Sequence, residues 1–122
     1  MITSTRVTGI AAAAAIAVGA TLSMSTAVAA DDKVLEEGKK LSFSRKDGNC
    51  LACHVIEGGE AAGNIGPPLM QMKLRFPDKA VLRAQIADAS VRNAETSMPL
   101  FGKYGILSDS DLDKVVEYIH SL

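Results

Sequence analysis

Cys50-Leu51-Ala52-Cys53-His54 constrains this chain more than any other stretch. A C-x-x-C-H run is the attachment pattern of a c-type haem. Two thiols at this spacing lie on one helical turn and can add to both vinyl groups along one porphyrin edge. The next residue then offers the iron a neutral imidazole nitrogen.

The other readings of these residues fit poorly. A zinc site wants four ligands, usually from two separated pairs. The chain has two Cys and two His, and His54 adjoins Cys53 too closely to share an ion comfortably. A thioredoxin-like C-x-x-C belongs between a strand and a helix, and nothing before Cys50 reads as a strand. A structural disulfide across two residues would close a small, strained ring.

The first 30 residues read as a secretory signal rather than as part of the fold. Arg6 supplies the positive start, residues 10–22 are an unbroken small, apolar run, and Ala27-Val28-Ala29 is an A-x-A cleavage site. Cleavage is expected after Ala29 or Ala30. The apolar run is short of the about 20 residues a membrane span needs, so an uncleaved anchor is the alternative and no stable membrane insertion is expected after cleavage. The mature domain is then residues 31–122, located in the periplasm. An exported chain whose only two thiols lie in C-x-x-C-H is consistent with haem attachment outside the cytoplasm.

Removing the leader takes one charge, Arg6, from the 13 Lys+Arg, leaving 12 against 14 Asp+Glu. That balance gives no reason to expect a nucleic-acid partner. A single domain of this size is marginal on its own apolar burial. A covalently held haem packed on both faces would complete its core.

Residues 31 to about 46 read as an amphipathic helix, with Asp31 and Asp32 at its start and Lys39 and Lys40 near its end. Val34, Leu35, Gly38, Leu41 and Phe43 share its apolar side. Gly38 costs about 1 kcal/mol relative to Ala, which close approach of another helix would offset. Residues 57–68 are rich in Gly, Ala and Pro and read as a loop ending in Gly66-Pro67-Pro68-Leu69. A metal-ligating His needs its other ring N–H engaged, and the carbonyl of Pro67 is the expected acceptor from His54. Phe76-Pro77-Asp78 opens a second helix, with Pro77 near its first position, running to about Ala89; Leu82 and Ile86 are its expected core residues.

Residues 93–105 form a second loop containing Ser97-Met98-Pro99. A thioether is the common second axial ligand of electron-carrying cytochromes. Met98 is the expected ligand, in a loop stiffened by Pro99, whereas Met70 and Met72 are expected to pack as adaptable core residues. His120 is the other possible donor, expected to be solvated near the end of the last helix. Ser108 caps that helix, and Leu112, Val115, Val116 and Ile119 form its buried face. It is expected to cross the first helix near Gly38, with Tyr118 at the crossing. The clusters Lys39-Lys40, Arg45-Lys46 and Lys73, Arg75, Lys79, Arg83 read as solvated surface, with steering of an acidic partner as the alternative.

This order of terminal helix, C-x-x-C-H, proline loop, middle helix, Met loop and terminal helix resembles the class I cytochromes c. The fold it implies is an all-α class I cytochrome c domain wrapped around one covalently attached haem c. A narrower likeness rests on Gly48-Asn49-Cys50-Leu51-Ala52-Cys53-His54, Gly63-Asn64-Ile65-Gly66-Pro67-Pro68-Leu69, Arg75-Phe76-Pro77-Asp78 and Met98-Pro99-Leu100-Phe101-Gly102, which look like SoxX. Leu100 departs from that pattern, where the family commonly has a second Pro. SoxX is the monohaem subunit of the SoxAX cytochrome of sulfur oxidation. The resemblance implies a SoxA-like haem subunit as partner and a downstream electron acceptor, a cytochrome c or an oxidase. The complex joins thiosulfate oxidatively to a carrier-protein cysteine, its catalytic haem lying on the partner. The residues themselves suit an electron carrier: with His54 and Met98 both on the iron, no position is open to substrate, and no spare Cys is poised for covalent catalysis. A freestanding periplasmic shuttle would share every ligand. A haem sensor would require a displaceable distal ligand.

Overall fold

The two terminal helices cross where one of them has no side chain. In this computed structural model, which describes residues 25–122 and side chains from Asp31 onward, helix α1 spans Ser25–Phe43 and the last helix, α4, spans Asp109–Ser121. Gly38 is buried at the crossing: a Cβ there would lie 2.0 Å from the Lys114 carbonyl oxygen and 2.8 Å from Tyr118 Cβ. Tyr118 stands edge-on to Phe43, with ring centroids 6.1 Å apart and planes at 78°, the arrangement that aromatic quadrupoles favour. The helical cost of Gly38 is thus offset by contact between two helix backbones, as the sequence led us to expect.

The ends of α1 differ from expectation. Its backbone runs unbroken through Ala29 and Ala30, so it starts ahead of Asp31, and neither Asp31 nor Asp32 is in its first turn. The preceding Ala-rich stretch has high intrinsic helix propensity. At the other end α1 stops at Phe43 rather than near Lys46. There the Gly48 N–H turns back to the Leu41 carbonyl, and the Asn49 N–H to the Ser44 carbonyl, closing the helix with a turn. Residues 1–24, most of the expected signal segment, lie outside the described residues. No described helix is long and apolar enough to cross a membrane.

Ser108 caps α4: its Oγ accepts the Asp111 N–H at 3.1 Å and donates to the Asp111 carboxylate at 2.8 Å. A short helix not foreseen from sequence, α2, spans Met72–Arg75. One turn is too short to show periodicity. Gln71 before it is left-handed, with φ of 51°, and that bend separates the two neighbouring methionines. Met72 turns into the core at 2% exposure, whereas Met70, expected inside, is 57% exposed.

Helix α3 spans Lys79–Ala87, and its cap is Asp78, whose carboxylate accepts the Ala80 N–H at 2.8 Å. Pro77 therefore lies one residue before the cap rather than inside the helix. The helix ends ahead of Ala89 because Asp88 turns to cap a separate 3-10 turn, Ala89–Val91. Lys79 pairs with Glu117, and Arg83 with Asp109 and Asp113. These two members of the basic cluster are thus matched by α4 carboxylates and are not free charges. His120, expected to be solvated, is half-buried and directs Nε2 to the Phe76 carbonyl at 3.0 Å.

Among the described residues there are helices, turns and loops but no strand. The core joins Met72, Leu82, Ile86, Phe101 and Leu107 to the inner face of α4, Leu112, Val115, Val116, Tyr118 and Ile119.

Candidate haem site

The site begins where α1 hands the chain to Gly48 and Asn49. Asn49 is left-handed, with φ of 47°, and starts a 3-10 turn over Cys50–Ala52. The turn continues through Cys53 N–H and His54 N–H, both donating to the Cys50 carbonyl at 3.2 and 2.9 Å. Cys50, Cys53 and His54 are therefore held on one tight bend.

The proline loop is laced to that bend by three backbone hydrogen bonds. Gly63 N–H donates to Leu51, Gly66 N–H to Cys53 and Leu69 N–H to Val55, at 2.7, 2.8 and 2.9 Å. Gly66 lies flat against the imidazole: a Cβ there would sit 2.3 Å from His54 Cε1 and 2.6 Å from Nδ1. This approach brings the Pro67 carbonyl oxygen to 2.7 Å from His54 Nδ1. A carbonyl only accepts, so the contact is a hydrogen bond when Nδ1 carries the proton. Nε2 then presents its lone pair.

The Met98 loop is braced from within and tied to the end of α3 past Pro99. Met98 N–H donates to Thr96 Oγ1 at 3.1 Å. Past Pro99, the N–H groups of Gly102 and Lys103 both donate to the Ala87 carbonyl at 3.1 Å, and Lys103 pairs with Asp88. Met98 is half-buried against the core.

Cys50, Cys53, His54, Pro67 and Met98 all line one cleft of about 440 Å³. Its walls are apolar, formed by Leu69, Leu82, Ile86, Phe101 and Val115 among others, and its rim carries Arg75, Arg92, Asn93 and Thr96. The donor set is two thiols, one imidazole and two thioethers, Met98 and Met72, the latter approached by Arg75 Nη1 at 3.4 Å, on an apolar slot, which fits a covalently held haem. It does not fit a hydrated metal ion. Among the described residues, no three His, Cys, Asp or Glu side chains come together to hold one. Burial pushes the Cys50 thiol up to about 11. A redox-active C-x-x-C has the opposite shift, toward thiolate.

Residues 35–122 match the family described as Cytochrome c. The chain belongs to the cytochrome c family. Its all-α fold is that of a class I cytochrome c, and as a family member it carries covalently bound haem c, one per domain, and transfers electrons. It is also similar to the Cbb3-type cytochrome c oxidase subunit CcoP of Cereibacter sphaeroides, at 31% identity over 102 residues, covering 77% of this chain and 34% of that protein. This cytochrome c thus spans about a third of the length of the curated relative it matches.

Three residues of the site escape sequence reasoning. The contact of Gly66 with the ring is invisible in a loop with several glycines. Arg75, read from sequence as a surface charge and as part of the Arg75-Phe76-Pro77-Asp78 segment, donates through Nη1 to the Pro68 carbonyl at 2.8 Å and to Met72 Sδ at 3.4 Å. Arg92 lies over the Phe76 ring at 5.6 Å. Arginine in a surface-like pattern looks the same in sequence whether it meets water or a carbonyl.

Proposed function

We propose that this cytochrome is the electron-accepting and electron-transferring subunit of a SoxAX-type complex, which joins thiosulfate oxidatively to a cysteine of a carrier protein. Cys50 and Cys53 would hold the haem through their sulfurs, and His54 and Met98 would ligate its iron. The observation that carries the electron-transfer part is the single apolar cleft lined by both His54 and Met98. Haem supplies reversible one-electron chemistry. The residues around it bind, orient and exclude water. Pro67 holds the Nδ1 proton of His54, which fixes the tautomer and raises the basicity of the ligating nitrogen. Thr96 braces the Met98 loop from within and the Ala87 carbonyl ties it down past Pro99, so the Met98 thioether would fill the second position on a bound iron and leave none open to a substrate. Substrate chemistry then belongs to a haem on the SoxA-like partner, and this subunit passes electrons to a downstream cytochrome or oxidase in the periplasm. The partner assignment rests on the four linked segments that resemble SoxX.

The likeness to an oxidase subunit favours a second reading, a freestanding carrier or a domain that feeds a terminal oxidase. Purification of the haem-loaded protein from its own periplasm separates the two. Co-elution with a second c-type cytochrome at fixed ratio through salt washes, followed by thiosulfate-dependent reduction, supports the SoxAX reading. Elution alone as a single-haem protein supports the carrier.

A further inference from the structure

We infer that Arg75 is a positioning residue for the proximal imidazole, acting through the Pro67-Pro68 dipeptide; this rests on His54 being the haem ligand. The dipeptide can donate no backbone hydrogen bond. Neither proline has an N–H, so its backbone can be held only through carbonyls. Pro67 O meets His54 Nδ1 at 2.7 Å, and Pro68 O meets Arg75 Nη1 at 2.8 Å.

The geometry links these two contacts. Peptide units are planar, and the Pro68–Leu69 unit is pinned on both sides, by Arg75 at the carbonyl and by the Leu69 N–H to Val55 O bond at 2.9 Å. The ring of Pro68 fixes its φ. Only one soft dihedral, ψ of Pro68, therefore separates the pinned unit from the one that carries Pro67 O. Holding the Pro68 carbonyl holds the Pro67 carbonyl on the histidine.

Arg75 is itself anchored. The same Nη1 lies 3.4 Å from Sδ of Met72, a core residue at 2% exposure whose N–H donates to the Leu122 carbonyl. Among the described residues no carboxylate pairs with Arg75, unlike Lys79 and Arg83. The chain of contacts runs from the core through Met72, Arg75 and the two prolines to His54.

The test is exchange of the His54 ring N–H in the reduced, haem-loaded protein, read by NMR, in wild type, R75M and R75K. Loss of one net hydrogen bond predicts about fivefold faster exchange in R75M, with R75K, which keeps the charge and one donor, between the two. The reduction potential gives an independent sign. A loosened Nδ1–H···O bond makes the ligand less basic and raises the potential, whereas removal of a nearby positive charge alone lowers it. Faster exchange with a raised potential supports the proposal. Unchanged exchange with a lowered potential overturns it, leaving Arg75 as a charge only. If R75M does not load haem, R75K decides: faster exchange than wild type supports the proposal, and identical exchange overturns it. A wild-type protein with no haem-shifted His54 ring signal would overturn the ligand assignment itself, and this proposal with it.

Discussion

The carbonyl oxygen of Pro67 stands 2.7 Å from Nδ1 of His54, although 13 residues separate them in the chain. The contact depends on Gly66, which is hydrogen-bonded to the Cys53 carbonyl and immediately precedes Pro67. A G66A substitution would put a methyl group 2.3 Å from His54 Cε1. Ring and loop must separate, and overpacking of this kind costs about 1–3 kcal/mol. We expect a lower unfolding midpoint of the haem-loaded protein and a raised reduction potential, read by denaturant titration and by potentiometry on the same sample.

M98A removes the thioether that the Met98 loop presents to the cleft, leaving that of Met72, which Arg75 Nη1 approaches at 3.4 Å. A thioether ligand raises the potential of a haem iron. The expected outcome is an altered absorption spectrum and a lower potential, with haem still attached. An unchanged spectrum and potential would assign the distal position to another residue.

Gly38 tests the fold independently of the haem ligands. In G38A the new Cβ meets the Lys114 carbonyl at 2.0 Å, backbone against backbone, so no side-chain rotation relieves it. The helices must move apart. We expect a loss of about 3 kcal/mol in equilibrium unfolding, with an unchanged haem spectrum in whatever folds.

Asp88 gives a pH dependence of known sign. Hydrogen bonds from Ser90 and then Lys103 hold its carboxyl below the ordinary value of 3.8. A depressed folded-state pKa means the stabilisation is fully present above the unfolded value, about 3.9, and is lost as pH falls through the folded one. Because Asp88 and Lys103 tie down the far end of the Met98 loop, acid should loosen that loop. Wild type should lose thermal stability more steeply than D88N as pH drops below about 4; parallel acid limbs in the two proteins would contradict this.

The features that were legible in the sequence are those set by short-range chemistry or strict period. C-x-x-C-H names its own cofactor. The spacing of Leu112, Val115, Val116 and Ile119 gives α4 and its buried face, and Gly38 in an otherwise good helix points to the crossing with Tyr118. What was hidden depends on single dihedrals or on long-range hydrogen bonds. A left-handed Gln71 sends Met72 inward and leaves Met70 outside. Asp78, a better cap than Pro77 is a first residue, shifts α3 by its carboxylate alone. His120 reaches Phe76, 44 residues away, and Arg75 reaches Pro68; neither contact leaves a periodic trace.

Everything proposed for this protein depends on haem bound through the Cys50–His54 bend. The most direct measurement is mass spectrometry of proteolytic fragments from the denatured protein purified from its own cells. The fragment containing Cys50 and Cys53 is predicted to carry the mass of one haem and no free thiol. The same fragment recovered without haem, as two free thiols or an internal disulfide, would contradict the account.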